Sequence, residues 1–149
     1  MALDFPTAPT LNQEFISGER KWIFDGISWI ASNITLLNEY TKCIEIESPT
    51  DTEDITFFYT PNSISITKVI LIITGGTSVT TTIRYNEDRS AIGTEILVGG
   101  ILVDSTTTGN IVTAFDYSVI PANSFIWIET TAISGTPTTL GITLSYTKT

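Results

Sequence analysis

The sequence predicts an all-β protein: an antiparallel β-sandwich, a jelly-roll-like domain, preceded by a small N-terminal arm and β-hairpin. Three observations lead there. From Ile55 onward, short runs rich in Ile, Val, Thr and aromatic residues recur roughly every 10–12 residues, punctuated by Gly, Pro, Asn and Ser turns. No stretch of useful length carries apolar residues at helical spacing. Asp25-Gly26 sits between the aromatic-rich runs Lys21–Phe24 and Ile27–Ile30, a strong short-range hairpin signal.

Residues 1–20 contain Phe5-Pro6 and Pro9, which favour an extended path over a helix, so this opening reads as an arm ordered by lying on something else, with Gly18 leading into the hairpin. A two-residue turn at Asp25-Gly26 would set Phe24 opposite Ile27 and Trp22 opposite Trp29. Trp22, Phe24, Ile27 and Trp29 would then share one face that needs cover. The stretch from Ala31 to Asp54 has only weak alternation at Cys43–Glu47 and an acidic, Pro-containing loop at Ser48–Asp54. The boundary between two modules falls there, giving residues 1–38 and 39–149.

Ile55–Thr60 is a strand closed by Pro61-Asn62. Ile64–Thr67 alternates and runs into Val69–Ile73, which lacks alternation and is expected to be a central strand buried on both faces. Val79–Tyr85 is the next strand, followed by a charged loop at Asn86–Arg89. Thr94–Val98 and Ile101–Val103 flank Gly99-Gly100, which allows either a tight hairpin or one kinked strand. Strands at Ile111–Tyr117, Phe125–Thr130 and Thr139–Thr147 complete the series, separated by turns at Pro121–Ser124 and Ser134–Pro137.

The totals narrow the function classes. Charged residues make up 15% of the chain, against about 25% in typical domains, which suits a rigid Thr-rich surface or one covered in an assembly. A net charge of −9 repels phosphate backbones and anionic lipid, so neither nucleic acid nor membrane is expected as a partner. One cysteine, Cys43, excludes an intrachain disulfide. No basic, apolar leader opens the sequence, so synthesis in a cytosol without a signal peptide is expected.

No catalytic constellation is visible. Histidine is absent, which removes the commonest general base and metal ligand. Enzymes without histidine exist, notably glycosidases that work with two carboxylates. Glu45 with Glu47 on one strand face and Glu129 beside Trp127 are the candidates, and solvated strand faces explain them more simply. Asp51, Glu53 and Asp54, or Glu87 with Asp88, could offer oxygen ligands to calcium, but neither group has a calcium-loop spacing. Trp22 and Trp29 could stack on sugars, although so small a hairpin needs its aromatics for its own packing. No catalytic residue, cofactor or metal site is expected.

The first 29 residues read Phe5-Pro6, Pro9-Thr10, Gln13, Phe15, Gly18, Trp22, Phe24-Asp25-Gly26 and Trp29 at fixed spacing. This resembles the short aromatic hairpin module of tailed-bacteriophage structural proteins; members often have Gly before the glutamine, where this chain has Asn12. Segments such as Ile83-Arg84-Tyr85, Asp88-Arg89-Ser90, Ile120-Pro121-Ala122 and Trp127–Ala132 are similar to a β domain of phage virion proteins. The resemblance implies a non-enzymatic virion structural component at the particle surface. A capsid decoration (cement) protein or short head fibre fits a chain this short, as a homotrimer on the major capsid protein or another virion protein. Phe5, Pro6, Pro9, Phe15, Trp22, Phe24 and Trp29 would then form the attachment module. The alternative is a tail-fibre or baseplate component whose sandwich binds a host surface glycan through loops such as Asn86–Arg89 or Ser134–Pro137.

Overall fold

The computed structural model describes residues 4–17, 20–32 and 39–149. The chain divides into two compact units, Met1–Asn38 and Glu39–Thr149. Gly18 and the stretch 33–38 lie outside the described residues.

The N-terminal unit is a three-stranded antiparallel sheet of β1 (Glu14–Ser17), β2 (Arg20–Phe24) and β3 (Trp29–Ser32), in that order. The second half of the expected arm is therefore a strand, paired through Phe15 and Trp22. The β2–β3 turn differs from the two-residue form at Asp25-Gly26. Asp25 is the first residue of the turn rather than one of its central pair, and its Oδ1 accepts the amides of Ile27 (2.8 Å) and Ser28 (2.7 Å). Gly26, at φ 99°, takes the left-handed position. Phe24 consequently faces Trp29 and Trp22 faces Ala31. The register moves by two residues, which keeps Trp22, Phe24 and Trp29 on one face and expels Ile27, now 91% exposed.

The larger unit is built from β4 (Tyr40–Glu47), β5 (Asp54–Thr60), β6 (Ile64–Gly75), β7 (Ser78–Asn86), β8 (Thr94–Glu95), β9 (Ile101–Val103), β10 (Asn110–Val112), β11 (Val119–Ile120), β12 (Ser124–Ser134) and β13 (Pro137–Lys148). One sheet runs β4, β13, β6 and then β10 with β11; the other runs β5, β12, β7 and then β8 with β9. Counting each interrupted edge as one strand, the orders are first-eighth-third-sixth and second-seventh-fourth-fifth. This is the two-sheet jelly roll, as the sequence predicts.

Both interrupted edges have local causes. β8 and β9 each pair with β7, so Gly99-Gly100 kinks a single edge strand and does not close a hairpin. The expected strand Ile111–Tyr117 survives only as Asn110–Val112. The residues after it turn away from β6 to the linker between β8 and β9: Asp116 Oδ2 accepts the Val98 amide (2.8 Å), and the Tyr117 amide donates to the Ile96 carbonyl (3.1 Å).

The core lies between the sheets. Val69, Leu71, Ile73, Leu140, Ile142 and Leu144 of one meet Val79, Ile83, Ile101, Val103, Ile126 and Ile128 of the other. Each such side chain contributes about 1.5–3 kcal/mol on burial. The run Val69–Ile73 is a central strand, but it is not buried on both faces. Ile70 and Ile72 point outward, with Ile72 36% exposed, because only one side of an antiparallel sandwich sheet meets the core.

Candidate functional site

The N-terminal unit owes its structure to one aromatic cluster. The chain reverses before β1: the Gln13 amide donates to the Thr10 carbonyl (2.9 Å), the Asn12 amide to the Phe24 carbonyl (2.8 Å), and the Phe24 amide to the Gln13 carbonyl (2.9 Å). The Gln13 side chain seals the turn by accepting the Thr10 amide through Oε1 at 2.9 Å. Asn12 sits at φ 64°, a left-handed conformation that asparagine tolerates and glycine adopts freely. That position thus accounts for either residue before the glutamine.

The reversal lays Phe5 over the sheet. Its ring stacks on Trp29 (centroids 5.2 Å apart, 16° between planes), meets Trp22 edge-on (5.5 Å) and tilts against Phe15 (4.9 Å). Phe24 tilts against Trp29 at 5.5 Å, and Trp22 is 7% exposed. All five aromatic residues singled out in the sequence join this cluster, while Pro6 and Pro9 are half-buried in the segment that carries Phe5. The arm itself supplies the cover that the hairpin face needs. On the opposite face of the sheet, Ile16 and Ile30 are 61% and 53% exposed, beside an ion pair between Lys21 and Glu14. The Ser28 amide, then that of Ile27, holds the Asp25 carboxyl below its ordinary value of 3.8.

The acids of the sandwich are committed to structure. Glu129 accepts the Trp127 indole N–H through Oε1 (2.8 Å) and the Arg84 Nε–H through Oε2 (2.8 Å). Arg84 also reaches Glu95 Oε1 (2.5 Å), so it bridges two carboxylates on the outer side of the sheet. Trp127 is fully buried under this network, with the Arg89 guanidinium 4.6 Å from its ring centroid. Arg89 in turn pairs with Asp54 and donates to Thr56. Glu129 and Glu95 are thus tied to one cation rather than left to divide acid and base roles across a cleft.

The acidic loop is equally engaged. Glu53 Oε1 accepts from the Thr50 amide (2.9 Å) and hydroxyl (2.8 Å), while Thr130 Oγ1 donates to the Thr50 carbonyl (2.5 Å) and accepts the Glu53 amide (2.9 Å). Asp88 accepts from the Ser90 hydroxyl and amide, the contacts that lower its pKa. Among the described residues, no group of three Asp, Glu or Cys side chains is placed to hold a metal ion. Glu45 and Glu47 share the exposed outer face of β4.

Sequence reasoning marks Glu129 as unusual but misses its partners, since Arg84 and Glu95 lie far away in the chain. It also misses a shallow groove of about 250 Å³ on the outer face of the β4-side sheet, lined by Ile70, Ile72, Thr143 and Cys43. Its floor is open because residue 141 is glycine, where a Cβ would lie 3.1 Å from Ile72 Cγ2.

No family model matches the chain, and no curated protein does. Solved structures that resemble it come from viral particles. The capsid asymmetric unit of cyanophage Pam1 is 13% identical, with a TM-score of 0.42 over 74% of this chain and 83% of that one. Infectious bursal disease virus, Gx strain, is 13% identical, with a TM-score of 0.40 over 97% of this chain. The VP2 subviral particle of infectious bursal disease virus is 16% identical, with a TM-score of 0.35 over 97% of this chain. This chain spans 42% and 41% of the length of those two bursal disease virus chains. A likeness at that level leaves function to be argued from the chain's own surfaces.

Proposed function

We propose that the chain is a non-enzymatic structural protein of a tailed-bacteriophage virion, a capsid decoration (cement) or short head-fibre protein. In this reading the Met1–Asn38 unit attaches it, and the jelly roll is displayed at the particle surface. The observation that carries the reading is the aromatic unit. The spaced residues that resemble a phage hairpin module, Phe5, Phe15, Trp22, Phe24 and Trp29, build one closed cluster inside a separate compact unit. A small self-packed module ahead of the main domain is suited to docking. Its second face carries the exposed Ile16 and Ile30 around the Lys21–Glu14 ion pair, a mixed surface for the major capsid protein or another virion protein to cover. The engaged carboxylates of the sandwich support a structural role over a catalytic one. We take the assembled form to be a homotrimer.

The test is to locate and count the protein on the particle. A decoration or head-fibre protein occurs in many symmetry-related copies on the shell, and native mass spectrometry of the purified protein gives a trimer. A few copies at the tail would overturn the reading in favour of a tail-fibre or baseplate component.

A further inference from the structure

The two sheets of the sandwich treat their outer faces differently. On the β12 side, Trp127 is fully buried beneath Arg84, Arg89 and their carboxylates. On the β13 side the outward side chains stay open: Ile72 is 36% exposed, and Ile111, which β10 sets beside Ile70, is 62% exposed. The register puts these isoleucines on one flank, Gly141 and Thr143 along the middle, and Cys43 and Glu45 on the other flank. β4 and β6 stand on either side of β13, so the flanks are about 10 Å apart. The groove of about 250 Å³ between them is small and shallow, suited to one side chain rather than to a whole ligand.

The backbone does not explain the glycine in its floor. Gly141 lies inside the 12-residue strand β13, where glycine weakens a strand, and it is not at positive φ, so other residues could adopt its conformation. The atom nearest to an added Cβ is Ile72 Cγ2, at 3.1 Å, the end of a side chain that faces outward. A glycine of this kind marks a place where another backbone or a ligand approaches closely. The flanks also differ in charge. Ile70, Ile72 and Ile111 are apolar, whereas Glu45 and Glu47 follow one another along the exposed face of β4, and neither forms an ion pair among the described residues. Lys68 shares the sheet face but sits at its other end, opposite Ser145.

We propose that this groove receives an extended segment of a partner protein, with an aliphatic side chain seated over Gly141 beside Ile70 and Ile72, and a lysine or arginine two residues on that meets Glu45 and Glu47. Alternate residues of an extended chain share a face at about 6.6 Å spacing, the same repeat that separates Glu45 from Glu47. Charge decides the occupant. A second copy of this chain would bring a net charge of −9 toward two unpaired carboxylates, while a basic segment complements them. The inference concerns the sandwich alone and stands whether or not the Met1–Asn38 unit attaches to a particle.

The test is a titration of the full-length ¹⁵N-labelled chain with the peptide acetyl-Thr-Leu-Thr-Arg-Thr-amide, alongside one control with Glu in place of Arg and another with Ser in place of Leu. The first peptide is expected to shift the amides of Glu45, Ile72, Gly141 and Thr143. It should also slow alkylation of the exposed Cys43 thiol in the groove wall by N-ethylmaleimide. Each control should bind about tenfold more weakly. Glu45→Gln with Glu47→Gln, both on the exposed face and outside the core, should weaken binding of the first peptide about tenfold and remove most of its salt dependence. Gly141→Ala should weaken it as well by filling the floor. No shift at these amides up to about 10 mM peptide, equal binding of the acidic control, or full binding by the Glu45→Gln, Glu47→Gln protein would each overturn the proposal. So would a self-association of the purified chain, followed by analytical ultracentrifugation, that Gly141→Ala abolishes, because a second copy would then be the occupant.

Discussion

Gly93→Ala offers a sharp test of the buried network on the outer face of the sandwich. Gly93 has φ 70°, and a Cβ built there overlaps the edge of the Trp127 ring, with Cζ2 at 2.5 Å and the Tyr85 carbonyl at 3.0 Å. The ring cannot retreat easily. It is fully buried, its N–H is bonded to Glu129, and Arg89 lies over its face. Left-handed backbone costs an alanine about 1–2 kcal/mol, and overpacking adds about 1–3 kcal/mol, for a loss of about 2–5 kcal/mol. Gly99→Ala is the matched control, with φ 87° and open space around the added methyl, so it should lose only the backbone part. Urea titrations followed at the Trp127 indole N–H resonance measure both, provided the denaturant slopes agree. If Gly93→Ala is no more destabilising than Gly99→Ala, Trp127 is not rigidly clamped and the account of this face is wrong.

Three further outcomes are expected. Trp22→Ala with Trp29→Ala removes two members of one cluster at about 3–5 kcal/mol each, more than so small a unit can lose. The sandwich transition should stay in calorimetry while attachment to particles weakens, and global unfolding would show that the two units are not independent. Glu129→Gln keeps one acceptor oxygen where Glu129 uses two, so with the Trp127 N–H still satisfied the Arg84 Nε–H faces an amide NH2 and loses its acceptor; at these part-exposed positions the change should cost about 1–2 kcal/mol in chemical denaturation, with the fold retained. The Asp25 carboxyl, held down by the Ser28 and Ile27 amides, titrates below 3.8. Its contribution to the N-terminal unit is present above the unfolded-state value and is lost as pH falls through the lowered one, which the Ile27 and Ser28 amide shifts would follow. Asp25→Asn should remove that acid dependence.

Fold class and most strand positions were legible because period-two alternation and turn chemistry are local signals. The errors share a cause as well. Phe24 and Trp29 pair as they do because the Asp25 side chain, not a central turn position, closes the loop, and a dipeptide pattern does not distinguish the two uses of Asp. The run Val69–Ile73 looks doubly buried because composition alone does not show that a single side of its sheet meets the core, which leaves Ile70 and Ile72 on the outer face. Ile111–Tyr117 reads as one strand, yet Asp116 and Tyr117 are drawn to Val98 and Ile96, partners fixed only by the fold. In the aromatic unit every residue was visible, while the turn at Thr10–Gln13 that delivers Phe5 to Trp29 was not. Nor was the groove at Ile70, Ile72 and Gly141, because its lining comes from three strands far apart in the chain.

The strand order has a consequence for the time course of synthesis. β12 and β13, the last strands to be made, are each an interior strand, β12 between β5 and β7 and β13 between β4 and β6, and β13 pairs Tyr146 with Tyr40 at the first strand of the sandwich. While the ribosome is still reading toward them, β4 and β5 have no partners, and β6 and β7 each lack a neighbour. The jelly roll therefore closes late and over long sequence separation, whereas the aromatic unit closes over short separations and is complete first. A nascent chain stopped short of β12 would have a folded N-terminal unit attached to unpaired strands, so aborted products should be recognisable to proteases in a way the finished protein is not.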